Sequence, residues 1–138
     1  MKDEYVKFGT AKLLKEKGFD WECYGTYNII EEVLMNEHSV TVVSHTNKNS
    51  TLGNAWISAP TQQMACRWLR EVHNIHIMPT IGCDVDRTPR IFYGIVIALF
   101  NDYGNIDYRT TDENEYDSPE EAIEAALEYA LTNLIQYG

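Results

Sequence analysis

Three groups of side chains in this 138-residue sequence have types and spacings that chemistry uses. The first is Glu71-x-His73-x-x-His76, two imidazoles and a carboxylate of the kind that hold a zinc ion. His73 falls near the end of a predicted helix and His76 in the strand after it. The rigid one-face geometry of a helical histidine pair is therefore missing, and surface or capping histidines are the simpler reading. The second is Asp84-x-Asp86, which offers two carboxylates to a divalent ion. Two acids in a turn are a poor ligand set and ordinary turn chemistry. His73, His76, Asp84 and Asp86 together define the enzymatic alternative, a small metal-dependent or hydrolytic activity. The third group is Cys23 with His38 or His45, a thiol and imidazole that would need a third, orienting residue to make a nucleophile. No Gly-rich phosphate loop is present. Trp21, Trp56 and Trp68 are not interleaved with basic residues, so they suit a core better than a base-stacking platform. The reading expects no catalytic residue, no cofactor and no metal.

Charge is the stronger signal. Residues 1–70 hold eight Lys or Arg and eight Asp or Glu. Residues 71–138 hold three arginines, no lysine and thirteen acids, which is the whole net charge of −10. Such a surface repels nucleic acid and anionic membrane and favours basic partners. The acids that would form it are Asp112, Glu113 and Glu115 before the last helix, and Glu121, Glu124 and Glu128 along the helix's exposed side. These six are the candidate partner-binding residues.

The length suits one α+β domain over residues 1–138, able to bury a core without staples. No apolar run approaches the roughly 20 residues of a membrane span. Met1-Lys2-Asp3-Glu4 is followed by no apolar segment of the kind a secretory signal needs. Three cysteines without close spacing (Cys23, Cys66, Cys83) fit reduced thiols in a cytoplasmic protein. Residues 8–17 read as a helix with Gly18 in the left-handed position after it. Residues 19–27 are aromatic-rich and irregular, 29–35 ambiguous, and 39–45 and 55–58 strands. A helix follows from Pro60, capped by Ser58 or Ala59, and runs to about Asn74. Three strands come next. Residues 75–81 contain Pro79 and must lie at an edge or carry a bulge. Residues 82–89 form a polar connection, and 90–100, almost continuously apolar, a central strand. Residues 101–105 are turn chemistry, and 106–111 alternate as a half-exposed strand.

The last element carries the clearest signature. Ser118-Pro119-Glu120-Glu121 fits a capping box, and Ile123, Ala126, Leu127, Ala130, Leu131, Leu134 and Ile135 repeat at helical spacing. The sequence thus expects a mostly antiparallel sheet packed by helices, in α-β-β-β-α order over its second half. That order resembles a double-stranded-RNA-binding domain. Such domains grip phosphates with lysines at the start of the final helix, where this chain has Asp117-Ser118-Pro119-Glu120-Glu121, so RNA binding is not expected. A second resemblance rests on Leu13-Leu14-Lys15-Glu16-Lys17-Gly18-Phe19-Asp20, on Ile57-Ser58-Ala59-Pro60-Thr61 leading to Trp68-Leu69-Arg70-Glu71, and on the closing acidic Ala/Leu-rich helix. In these the chain is similar to small acidic proteins of Bacteroides genomes, phages and mobile elements. The resemblance implies a small cytoplasmic accessory protein of phage or mobile-element origin and brings no site residues with it. The expectation is a non-enzymatic protein that binds a protein partner through its acidic C-terminal half, with mimicry of nucleic acid as one form of that binding.

Overall fold

In the computed structural model the described residues are 4–28, 40–84, 90–101 and 103–135. The elements run α1 (Phe8–Glu16), β1 (Cys23–Asn28), β2 (Thr41–Asn47), β3 (Trp56–Ala59), α2 (Gln62–His73), β4 (Ile75–Asp84), β5 (Arg90–Phe100), β6 (Ile106–Tyr116) and α3 (Pro119–Asn133). The protein is α+β, with two antiparallel three-stranded sheets in the orders β2-β1-β3 and β4-β5-β6. The second half has the expected α-β-β-β-α order.

The local chemistry explains each boundary. α1 stops because Gly18 takes φ 94 and its N–H reaches the Lys15 carbonyl, while the Phe19 N–H bonds the Leu14 carbonyl. Phe19 then folds back into the core, 1% exposed. α2 ends at Asn74 in the left-handed conformation, φ 56. Its cap is neither Ser58 nor Ala59. The Thr61 hydroxyl accepts from the Met64 N–H, and Pro60 lies ahead of the helix. Ser58 instead stays in β3, where its hydroxyl donates to Asn47 Oδ1 at 2.7 Å.

Residues 19–27, expected to be irregular, contain β1. This strand is central in its sheet, and Gly25, Thr26 and Tyr27 are consecutively buried. Gly25 is required there, because a Cβ would stand 2.3 Å from the Ala59 carbonyl oxygen across the β1–β3 pair. The bulge between Cys23 and Gly25 is filled by Asn47, whose Nδ2 donates to both of their carbonyls. Tyr24 is exposed while Thr26 on the same face is buried, so the strand's side chains do not follow a period-two pattern of polarity, which is why it is hidden in the sequence.

In the second sheet β5 is central and Ile95 to Ala98 are all buried, as its continuous apolar run requires. β4 with Pro79 is the edge. β4 reaches Asp84 rather than ending at Ile81, and β6 reaches Tyr116 rather than Thr111. A register shift between Tyr93 and Ile95 lets the acidic end of β6 stay paired along β5. Side chains from α1, α2, α3, β1, β3, β4 and β5 share a core that includes Leu14, Phe19, Ile57, Trp68, Leu69, Ile95, Leu127 and Leu131. Among the described residues no helix is long and apolar enough to cross a membrane.

Candidate interaction site

The acidic half is organised by α3. Its first turn closes as the sequence predicts, with the Ser118 hydroxyl accepting from the Glu121 N–H at 3.1 Å and Pro119 at the first helical position. The Glu121 carboxylate reaches back to the Asp117 N–H at 3.3 Å. Ala122, Ala126, Leu127, Ala130 and Leu131 are buried, so the apolar stripe packs as expected.

Glu124 departs from expectation. The sequence pattern places it in the exposed row, but in the structure it is only 6% exposed. Helical positions advance by about 100°, which puts Glu124 only ~60° from Leu127 around the helix. A sheet alone would leave that flank open, but α1 packs against α3 as well and covers it. Glu121 and Glu128 lie about 100–120° from Leu127 by the same geometry and remain exposed.

Burying a carboxylate is costly unless donors surround it, and the local sequence supplies them. The Lys7 backbone N–H donates to Glu124 Oε2 at 3.1 Å, the Thr10 hydroxyl donates to the same oxygen, and Gln62 Nε2 donates to Oε1 at 3.0 Å. Gln62 Nε2 also donates to the Glu120 carbonyl at 2.9 Å. Lys7 is the N-cap of α1, and no side chain of α1's own caps it, nor is there an acid in its first turn. Glu124 therefore provides, from another helix, the anion that a helix N-terminus favours. One carboxylate joins the starts of α1 and α2 to the middle of α3. The N-terminal strap is fastened alongside: Val6 N–H to the Pro60 carbonyl, Gln62 N–H to the Glu4 carbonyl, and Tyr27 hydroxyl to the Val6 carbonyl.

Beside this hub runs a groove of about 500 Å³. It is lined by Lys7 at the cap of α1, by Thr10 and Leu13 of α1, by Glu121, Glu124, Ala125 and Glu128 of α3, and by Tyr116 of β6. Glu115 on β6 and Asp117 before α3 are exposed nearby in sequence. The side chains of Asp112 and Glu113 lie outside the described residues. Of the six candidate residues, Glu121 and Glu128 thus share the groove, Glu124 forms its buried wall, and Glu115 stands exposed on the strand. Lys7, Thr10, Gln62 and Tyr116 were not anticipated. The available signal was a helix starting at Lys7-Phe8-Gly9 with no Ser, Thr, Asp or Asn to cap it, which requires a cap from elsewhere in the fold.

The alternative chemistry does not assemble among the described residues. His73 lies edge-on to Trp68, ring centroids 4.9 Å apart, with its Nε2 buried and without a hydrogen-bond partner. Burial holds its pKa below the usual histidine range. His76 lies edge-on to Phe100 at 4.8 Å, beside a smaller cleft with Asn74 and Asn101. Asp86 and the side chain of Asp84 lie outside the described residues, as does His38. Cys23 is buried against Asn47 and the Gly25 carbonyl, and burial pushes its thiol pKa up; His45 is exposed on β2. Burial likewise pushes the Cys66 thiol up to about 11, and the charge of Glu124 also raises it. No three His, Cys, Asp or Glu side chains converge on a point fit for a metal among the described residues. The chain matches no known family pattern, no curated protein and no solved structure.

Proposed function

We propose that this chain is a non-enzymatic accessory protein that binds a basic protein partner through the acidic surface of its C-terminal half, centred on α3 and the groove beside it. The observation that carries this reading is the pair Glu121 and Glu128. Both are exposed on one wall of a groove that also presents Leu13 and Ala125, and neither is ion-paired among the described residues. An arginine or lysine side chain has an apolar stem and a charged head, the complement of an apolar lining with a carboxylate rim. Residues 71–138 carry the whole net charge of −10, so a long-range field steers such a partner to this side of the sequence. Carboxylates held on a rigid helix also stand in for spaced phosphates. Mimicry of nucleic acid toward a basic site is a form of the same binding, and an origin in a phage or mobile element would suit it. The same field disfavours nucleic acid and anionic membranes as partners.

The test is Glu121→Lys combined with Glu128→Lys, leaving Glu124 intact. The variant should fold, and capture of basic proteins from a host lysate should fall sharply at physiological salt. The wild type should release the same proteins as salt rises, because exposed charges are screened beyond a Debye length of roughly 8 Å. A folded double variant that retains the same partners at the same salt overturns the proposal.

A further inference from the structure

We draw no further inference here: the strongest candidate, the apolar patch toward the end of the β4–β5 hairpin where Ile81 and Ile91 stand exposed around Cys83, is a sheet face for which nothing in the structure shows what covers it.

Discussion

Replacing Glu124 separates a structural acid from an interacting one. In Glu124→Ala the Thr10 hydroxyl, 3% exposed, loses its acceptor, the Gln62 amide, 6% exposed, loses one of its two and keeps the Glu120 carbonyl, and the Lys7 N–H loses its cap. Each buried donor left unpaired costs about 1–3 kcal/mol, while the Lys7 N–H can turn to water. The variant should therefore lose about 2–6 kcal/mol, a large share of the roughly 5–15 kcal/mol that holds a domain together. In melting temperature that is a fall of roughly 6–20 °C for a chain of this size. Glu124→Gln keeps one acceptor oxygen but turns an N–H₂ toward a donor, so its loss should be smaller, about 1–3 kcal/mol. Glu124→Lys places a cation against three donors at a helix N-terminus and should not fold. Glu128→Lys, on the exposed side, should stay within about 0.5 kcal/mol of wild type. Urea titrations followed by circular dichroism rank the four proteins. An alanine variant within 0.5 kcal/mol of wild type would show that the carboxylate does not join the three helices, and the account of the buried hub would be wrong.

Leu127→Asp should unfold or aggregate the protein, since Leu127 is fully buried and an unpaired carboxylate there costs several kcal/mol; a soluble variant with an unchanged melting curve would refute the packing of α3. His73 should add an acid-sensitive step. Its folded pKa lies below the ordinary 6.5, so the unfolded chain binds the proton more readily, and stability is lost as pH falls from 6.5 through the folded value. His73→Phe keeps a ring against Trp68 and should flatten the change in urea midpoint between about pH 7 and pH 5; equal slopes in both proteins would rule the histidine out. Cys83 is exposed while Cys23 is buried and Cys66 is held as a thiol by a pKa of about 11. Iodoacetamide on the native protein should therefore give one adduct by mass spectrometry and three after unfolding; prompt labelling of Cys66 would contradict its raised pKa.

Much of the second half was legible because its elements obey one rule each. β5 is a run of apolar residues too short for a helix between turn signals, and a central position follows. Pro79 requires that β4 lie at an edge or carry a bulge, and the edge is where it lies. Ser118, Pro119 and Glu121 announce the start of α3 through the groups they must satisfy. The first half resists the same reading. β1 exposes an aromatic, Tyr24, buries a polar residue, Thr26, on the same face, and is interrupted by a glycine, so neither alternation nor helical spacing marks it. The sequence pattern points to a cap at Ser58 or Ala59, ahead of the true cap Thr61, because Ser58 has the right side chain but spends it on Asn47 across the sheet. A cap is identified by which hydroxyl is free to turn inward, and that is decided by strands far away in sequence.

Glu124 shows why acid content and acidic surface differ. A helical wheel divides α3 into one buried stripe and one exposed face, which is correct when a helix meets a single neighbour. α3 meets α1, α2 and the β4-β5-β6 sheet, so its buried arc widens past the apolar residues and takes in a glutamate. The glutamate persists there because two other elements arrive with unsatisfied donors: α1 lacks a cap of its own, and Gln62 opens α2 facing inward. Subtracting it leaves Glu121 and Glu128 as the groove's exposed charge. This matters for the binding proposal. A triple charge reversal at Glu121, Glu124 and Glu128 would abolish partner capture even in a protein whose acidic face does nothing, because reversing Glu124 breaks the join between the helices. The double reversal at Glu121 and Glu128 removes exposed charge and leaves that join untouched. That variant gives up only the exposed cap bond from the Asp117 N–H to Glu121, so loss of capture in a protein that still folds and melts cooperatively can be assigned to the surface.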